Sequence, residues 1–567
     1  MAVLTLTCLA LLCVIVVTVV KAFHRAHASP LSHIPNAGWG AGYSRLIWAF
    51  REEYCGKITI DLPKIHEKLG IPHHLPFALF PATHKFWAGS IVRIGPNELS
   101  FYSIDIYDLI HSVNSGFAKD PRNYGEFVQD GHPALFSITD PEEHSKRRRI
   151  LGQLFSRSKI GNLEGLMLHH VNEFVRAVGQ KQRPFDVGPA CRALEADIIC
   201  KMTWRVHDVM SRQVLLTMIA EFSFGEALNA IRSWSKGHDT PIVSKNDKKA
   251  TFMPLVSPST VDHVLANKLQ LMNFPVLYDL WLGVEDIFCH VEGSKISTRK
   301  GLQQYDQWTS KAWVKNKDPE RKSPFPNLIN VMVSAGVPTQ TALSEAKENL
   351  GPGTDTTSAS LAHILYALSK NTTYQKKLYQ DLARLGFPTD MGALESIPRL
   401  KACVKEGIRW AGAAAAMLPR VVPEGGVELC GKFIPEGTVI TSSPIWYLRD
   451  KYAYPNPELF DPYRWIDETG TILTENALRD KFYVPFSKGP NICIGNHFSY
   501  FELFLSLAKM VENFILIHAD EDRGGLAQAA GLNNSDWQPV QLPMRKEWVA
   551  AVVTEPLLVT AIPRNRE

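Results

Sequence analysis

The pattern of apolar and charged positions separates a short apolar end from a long mixed body. Residues 2–20 are nineteen consecutive positions without a charged side chain. A helix of that length, rising about 1.5 Å per residue, nearly spans a bilayer core about 30 Å thick. Lys21 and Arg25 follow at once, and positive residues beside a span favour the cytosolic side. We therefore predict one transmembrane anchor over residues 1–21, with the body in the cytosol.

A cleaved signal peptide is the alternative interpretation of this apolar end. No Lys or Arg precedes the apolar run, and Lys21-Ala-Phe-His24 stands where a signal peptide would have a small-residue cleavage site. Both features favour the anchor over the signal peptide.

The body combines helical periodicity with a few short strand signals. Residues 22–45 contain repeated Pro and Gly and predict a hinge between the anchor and the body. Within Ser360–Lys370, apolar residues recur at the spacing of one helix face. The pattern predicts a mainly α-helical body with small β-sheets. Predicted strands lie at residues 91–94, 439–441, 548–553 and 557–562, the last two as a hairpin.

Composition narrows the class of protein. Apolar residues make up 45% and charged residues 21% of the 567 positions, which is ordinary globular usage and excludes a disordered or fibrous chain. The formal net charge of +4 gives no reason to expect nucleic acid as a partner. The nine cysteines include no Cys-x-x-Cys pair, so we expect neither a disulfide scaffold nor a zinc site, and we favour a reducing compartment.

One cysteine, Cys493, has an unusual setting. It lies between Gly489 and Gly495, and an apolar helical pattern follows it. Glycines let a backbone approach a flat cofactor closely, and the start of a helix favours a thiolate. A lone cysteine is more often buried and inert, and we interpret the other eight cysteines in that way.

Five segments of the chain resemble motifs of the cytochrome P450 family, in the family's order. The segment FSKGPNICIG, from Phe486 to Gly495, resembles the family's haem-thiolate loop. The resemblance covers about residues 31–565. Within the family, the sequence is similar to fungal microsomal members used in secondary metabolism. His144-x-x-x-Arg148 resembles the family's Trp-x-x-x-Arg position, and Gly353–Thr357 resembles part of its I helix. Glu406-x-x-Arg409 resembles the Glu-x-x-Arg of its K helix, and Phe460–Trp465 resembles its later arginine segment.

The resemblance implies a cytochrome P450 fold over residues 46–567, with haem b as cofactor. Cys493 would be the axial ligand of the haem iron, because a thiolate favours cleavage of the O–O bond. The haem loop would also contribute Phe486, Gly489 and Gly495. By the same resemblance, the haem propionates would be held by Arg148, His144 and Arg420.

The resemblance also implies two further groups of residues. Asp355 and Thr356 would deliver protons for oxygen activation, although a Thr-Asp-Thr-Thr run is also typical of a helix cap or turn. Glu406, Arg409 and Arg464 would form a buried structural cluster that supports the haem loop, whereas an isolated Glu-x-x-Arg is usually a solvated surface pair.

The function implied is that of a monooxygenase on the endoplasmic reticulum membrane. It would oxidise an apolar small molecule with O2, using NADPH-derived electrons from NADPH-cytochrome P450 reductase. Desaturation, ring formation or oxidative coupling by the same machinery is one alternative, and a degenerate haem-binding membrane protein without turnover is another. The basic run Lys146–Arg149, with Lys481 and Lys488, is either a docking patch for an acidic reductase or a solvated face.

Some positions depart from the family's pattern. Asn491 stands at the usual arginine position before the cysteine, so one propionate partner is lost or replaced. Pro352 stands in the I-helix segment and predicts a bend there. Residues 71–90 and 201–220 do not fit the family's spacing, and we interpret them as retained introns or, alternatively, as genuine insertions.

Overall fold

The computed structural model describes residues 2–69, 91–128, 131–181, 183–200, 230–236, 328–473, 476–519 and 537–564. The two segments at 71–90 and 201–220 lie outside these residues. The helices, in chain order, are α1 (Ala2–His27), α2 (Ala49–Tyr54), α3 (Ile58–Leu69), α4 (Ile104–Ile110), α5 (Pro121–Tyr124), α6 (Pro141–Phe155), α7 (Arg157–Gly161), α8 (Glu164–Gly179), α9 (Val187–Cys200), α10 (Ala230–Ser235), α11 (Leu328–Ser334), α12 (Thr339–Ser369), α13 (Thr372–Arg384), α14 (Met391–Glu395), α15 (Pro398–Ala411), α16 (Pro444–Leu448), α17 (Ala477–Phe482) and α18 (Asn496–Asn513).

The strands are short and are distributed along the chain. In chain order they are β1 (Ile91–Gly95), β2 (Glu98–Phe101), β3 (Ala118–Lys119), β4 (Phe185–Asp186), β5 (Arg420–Val421), β6 (Val427–Leu429), β7 (Lys432–Ile434), β8 (Val439–Thr441), β9 (Leu459–Phe460), β10 (Phe514–His518), β11 (Val540–Gln541), β12 (Arg545–Glu547), β13 (Ala551–Val553) and β14 (Leu558–Pro563). The mainly helical body with small sheets is therefore confirmed.

The apolar end forms helix α1, which continues beyond the predicted anchor to His27. Its stretch Thr5–His27 has 23 residues, and the apolar window within it is 0% buried. Within the described part of the chain, α1 is the helix whose length and apolarity suit it to cross a membrane.

The last turn of α1 and the segment that follows it are held against the body. The guanidinium group of Arg93 on β1 donates hydrogen bonds to the carbonyl oxygens of Arg25 and Ala26, at 2.7 and 3.2 Å. Leu31 and Ile34 are buried in the core. The predicted hinge is therefore packed against the sheet.

A five-stranded sheet flanks the helical body, in the order β1-β2-β8-β5-β3. Strands β2 and β8 are parallel, and the other pairs are antiparallel. The predicted strands at 91–94 and 439–441 are β1 and β8. The register places Lys119 directly opposite Arg420.

The predicted hairpin of residues 548–553 with 557–562 is wrong. Strand β13 pairs with β12, the strand that precedes it, and β14 pairs with β10 and β4. Strand β14 therefore pairs with the distant strand β10 and not with its chain neighbour β13, because β10 and β14 form a ladder of five residue pairs.

Helix α12 is the centre of the helical core. It packs most extensively against α9 and also contacts α15 and α18. It runs as one helix through Pro352. The apolar face predicted within Ser360–Lys370 is fully buried and consists of Leu361, Ile364, Leu365 and Leu368. This packing fixes the face that α12 turns toward its neighbours.

Candidate functional site

The segment from Phe486 to Gly495 forms a closed loop that leads into α18. The backbone N–H of Cys493 donates to the carbonyl of Phe486 at 2.9 Å, and the N–H of Ile492 donates to that of Gly489 at 3.1 Å. These bonds hold Cys493 just before the first turn of α18, where the helix dipole favours negative charge.

Gly489 is required where the loop meets the end of α4. Its φ is +65°, and a Cβ built there would lie 1.8 Å from the carbonyl oxygen of His111. No other residue type fits such an approach. Two further contacts attach the loop to α4. The hydroxyl groups of Ser487 and Tyr107 are 2.7 Å apart, and Lys488 is paired with Asp108.

The thiol of Cys493 is exposed, although the protein around it is dense enough to change its ionisation. Burial raises the pKa of Cys493, whereas the backbone N–H of Gly495 and the charge of Arg148 lower it. Both observations fit a side chain on the wall of an internal cleft. The N–H group and the guanidinium group are the features that would stabilise a thiolate.

Four basic side chains lie close to one another, and one of them, Arg148, is near this thiol. His144 and Arg148 lie one turn apart on α6, and Lys119 and Arg420 lie opposite each other on β3 and β5. Burial and the charges of Lys119, Arg148 and Arg420 lower the pKa of His144 to about 3. Burial lowers the pKa of Arg148, and Cys493 raises it. The three predicted propionate partners, His144, Arg148 and Arg420, thus lie close to one another, and Arg148 is close enough to Cys493 for each to affect the pKa of the other.

The basic cluster (Lys119, His144, Arg148 and Arg420) holds more positive charge than its surroundings balance. Burial and the charge of Arg420 lower the pKa of Lys119 to about 7, against the opposite effect of Glu348. Arg420 donates to the hydroxyl group of Tyr124 at 2.8 Å, which carries no charge. The cluster is therefore suited to bind an anion.

Sequence reasoning missed Lys119. It donates hydrogen bonds to the carbonyl oxygens of Leu135 and Phe136 at 3.1 and 2.9 Å, and it is buried. No local pattern distinguishes it from a surface lysine, because its neighbour Arg420 is about 300 positions away in the chain.

The predicted proton-delivery residues lie on different faces of α12. Thr356 shares a half-buried face with Gly353 and Ala359, whereas Thr354 and Thr357 are buried. Asp355 points toward α9, where its Oδ1 is 3.6 Å from Nη2 of Arg192. Successive helical positions diverge in this way, so Asp355 and Thr356 adjoin in the chain without sharing a face.

The predicted structural cluster is present and fully buried at its centre. Both oxygens of Glu406 accept hydrogen bonds from Arg409 at 2.8 Å. Arg464 donates to Oε1 at 3.1 Å, and the indole of Trp465 donates to Oε2 at 3.1 Å. A buried ion pair is tolerated only when its remaining hydrogen-bonding groups are satisfied, and here the carboxylate accepts from several donors.

An aromatic chain connects this cluster to the loop. The ring of Trp465 is 5.0 Å from that of Tyr483, and the hydroxyl of Tyr483 is 3.1 Å from that of Tyr500. Tyr500 in turn packs against Phe486 at 5.3 Å between ring centroids. The Glu406 cluster therefore supports the side of the loop that carries Phe486.

The residues present fit a thiolate-ligated haem. An accessible thiol with a nearby N–H donor and arginine provides a soft ligand for iron, and the basic cluster provides cations for carboxylates. The fold and the site thus define a mainly helical protein with the elements of a haem-thiolate centre.

Comparisons with known proteins agree. Residues 318–526 match the family model described as Cytochrome P450. Cytochrome P450 monooxygenase macH of Penicillium terrestre is 26% identical over 88% of this chain and 89% of its own length. Cytochrome P450 monooxygenase orf2 of Aspergillus niger is 23% identical over 90% and 92%, and ankB of Aspergillus thermomutatus is 27% identical over 75% of each chain. Residues 318–526 thus contain a cytochrome P450 domain, the domain of a family of haem-thiolate iron enzymes, and the chain is similar to fungal cytochrome P450 monooxygenases over most of its length.

Proposed function

We propose that this chain is a membrane-anchored monooxygenase of fungal secondary metabolism that oxidises an apolar small molecule with O2. Its electrons would come from NADPH through NADPH-cytochrome P450 reductase at the endoplasmic reticulum. The observation that carries the proposal is the accessible thiol of Cys493, whose pKa is lowered by the Gly495 N–H and by the charge of Arg148, against the effect of burial. The fungal monooxygenases that match most of the chain support it.

Bound at this site, haem would supply the iron chemistry that activates oxygen. Cys493 would hold the iron through its thiolate, and the N–H of Gly495 would stabilise the thiolate charge. The basic cluster would bind the propionate groups, and Lys119 and Arg148 would make up for the cation that Asn491 does not provide. The Glu406 cluster would keep the loop in position.

Proton supply would depend on α12. Thr356 lies on the half-buried face and would hold a proton donor at the cleft. Burial raises the pKa of Asp355 to about 7, against the charge of Arg192. A carboxyl group with such a pKa can both release and regain a proton near neutral pH.

A small cavity lies near the sheet. Its volume is about 110 Å³. It adjoins the basic cluster through Tyr124, the hydrogen-bond partner of Arg420. Its lining is mainly apolar and includes Phe127, Phe136, Met417, Leu418 and Val549. Charged side chains, among them Glu53 and Glu98, also line the cavity, and neither Cys493 nor Thr356 does. Because its volume is well below the roughly 300–1,000 Å³ of a small-molecule site, the cavity does not identify the substrate.

The docking patch for the reductase would lie on α6. Lys481 and Lys488 are paired with Asp105 and Asp108, which offsets their charge. Arg149 on α6 is exposed and would provide a steering charge for an acidic partner.

The central test is the ferrous carbonyl spectrum of the full-length protein. Cys493→Ser should lose the red-shifted band that marks thiolate ligation, together with NADPH-dependent product formation, whereas Cys55→Ser should keep both. A normal band in Cys493→Ser would refute the ligand assignment. Comparing the metabolites of a deletion strain with those of its parent would identify the substrate.

A further inference from the structure

A half-buried ion pair joins α9 to α12 next to the proposed proton pathway. Arg192 and Asp355 approach to 3.6 Å between Nη2 and Oδ1, and their side chains are 28% and 17% exposed. That separation is too long for a hydrogen bond. Within the described part of the chain, Oδ1 of Asp355 and Nε of Arg192 have no hydrogen-bond partner. The contact is therefore one of charge, and Oδ1 remains available to a mobile proton.

The electrostatic surroundings of this pair are simple. Among the described residues, Arg192 is the charged group that shifts the pKa of Asp355, and it acts against burial. On its other side, Arg192 is faced by Asp186 of β4 and by the thiol of Cys191. Glu195, one turn further along α9, faces Glu502 of α18. The Arg192 guanidinium is thus the group through which α9 acts on Asp355.

The placement of the pair gives it a functional position. Asp355 belongs to the interface between α9 and α12, the most extensive helix contact in the described structure. Its chain neighbour Thr356 lies on the half-buried face of the same helix. A change in the Asp355 carboxyl group therefore occurs one residue from the cleft.

We propose that Arg192 is a positioning residue for the proton relay: it holds the Asp355 carboxyl group against α9 and, by its charge, makes that carboxyl group a better proton donor. The inference rests on the proposed function, because it assigns a role in the relay assumed there. When the Asp355 carboxyl group releases its proton to a water molecule that carries it toward the face of Thr356, the electron pair stays on the carboxylate. Arg192 stabilises that carboxylate until a proton from solvent restores the acid.

The expected size of the effect follows from charge interactions. An opposite charge within about 4–6 Å lowers the pKa of a carboxyl group by roughly 1–3 units. Without the Arg192 charge, burial alone would act, and Asp355 would hold its proton about 10- to 1000-fold more tightly. Proton release at neutral pH would then be slower.

The direct test is an infrared titration of Asp355 in the full-length holoprotein, without substrate. The protonated-carboxyl band is isolated by subtracting the spectrum of the matching Asp355→Asn variant in each background. Arg192→Gln should raise proton affinity at least about 10-fold, Arg192→Lys should restore most of the difference, and Arg176→Gln, which removes an exposed arginine on the neighbouring helix α8, should have no effect. An unchanged titration in Arg192→Gln would overturn the proposal.

A second measurement separates this inference from the proposed relay. With reductase and the substrate identified from the deletion strain, peroxide formed per NADPH should rise in Arg192→Gln and in Asp355→Asn, and the double variant should show no further rise. If Arg192→Gln shifts the titration while Asp355→Asn leaves the peroxide ratio unchanged, Asp355 is not in the relay and the role of Arg192 there fails with it. If Asp355→Asn uncouples the enzyme but Arg192→Gln changes neither readout, the relay stands and the inference about Arg192 is wrong.

Discussion

Glu195 of α9 and Glu502 of α18 face each other as two fully buried carboxyl groups in the helical core. Among the described residues, none of their four oxygens accepts a hydrogen bond. Burial raises the pKa of Glu195 well above its ordinary value and that of Glu502 to about 8. The two carboxyl groups can form a hydrogen bond with each other only if one of them keeps its proton. Helix α18, which follows the Cys493 loop, is thus joined to α9 by a contact that requires this proton.

This contact predicts stability that falls as pH rises. Between the ordinary glutamate pKa of about 4.5 and the raised value of about 8, the folded protein holds more protons than the unfolded chain. The free energy of unfolding therefore decreases with pH across this window, by roughly a few kcal/mol, because each pKa unit corresponds to about 1.4 kcal/mol. Thermal unfolding midpoints of Glu502→Gln should depend less on pH than those of the wild type and should be higher near pH 8.

Glu428→Gln, which removes an exposed carboxyl group on β6, provides the control for this experiment and should follow the wild-type curve. If Glu502→Gln shows the same slope as the wild type between about pH 5 and pH 9, the two carboxyl groups do not share a proton.

The loop that carries Cys493 should not tolerate Gly489→Ala. The new Cβ would lie 1.8 Å from the His111 carbonyl oxygen, on a backbone with φ of +65°. We expect loss of the thiolate-type ferrous carbonyl band, because the loop cannot close against α4. Gly437→Ala is the matched control, since Gly437 has φ of +72° but no atom within 4 Å of its Cβ position. It should cost only about 1–2 kcal/mol of backbone strain and keep the band. Equal loss in both variants would contradict a steric cause.

Several elements of the fold were predictable because their signals are local. The apolar face within Ser360–Lys370 was predictable because its residues recur in successive turns of one helix. The strands at 91–94 and 439–441 are marked by short β-branched runs. The hairpin of 548–553 with 557–562 failed because strand pairing is a choice among distant partners, and β10 provides the longer ladder for β14. Residues 71–90 and 201–220 remain predictions from spacing alone.

The site shows the same division between local and distant information. Cys493, Arg148 and the Glu406 cluster were visible as motifs, and the structure brings the three members of the Glu406 cluster into contact. Asp355 and Thr356, in contrast, lie on different faces of α12. Lys119 and Arg192 were not visible, because their importance lies in facing Arg420 and Asp355 across the fold. Burial and the partner's charge give such residues their properties, and neither is encoded in the neighbouring sequence.

Lys119 should contribute to retention of haem. It is one of the basic cluster's four members, and Lys119→Met removes its charge while keeping most of its apolar stem. A hydrogen bond to a charged group is worth about 1.5–3 kcal/mol, so haem should transfer to an excess of a haem-scavenging protein roughly 10-fold faster or more. Lys119→Arg should keep the wild-type rate. If Lys119→Met loses haem no faster than wild type while Arg148→Met does, Lys119 serves only to hold the carbonyl groups of Leu135 and Phe136.

Thr356→Ala should uncouple the enzyme more than it slows electron uptake. Haem ligation by Cys493 and the basic cluster are untouched by this change, so O2 should still be reduced. What is lost is a hydroxyl group on the half-buried face of α12, and loss of one positioned proton-transfer group costs about 10²–10⁴-fold in the catalysed step. Product per NADPH should fall and peroxide should rise. Thr357→Ala removes a hydroxyl 3.0 Å from that of Ser499 and should lower stability without changing this ratio. If Thr356→Ala is neutral while Thr354→Ala or Thr357→Ala uncouples, the relay lies on another face of α12.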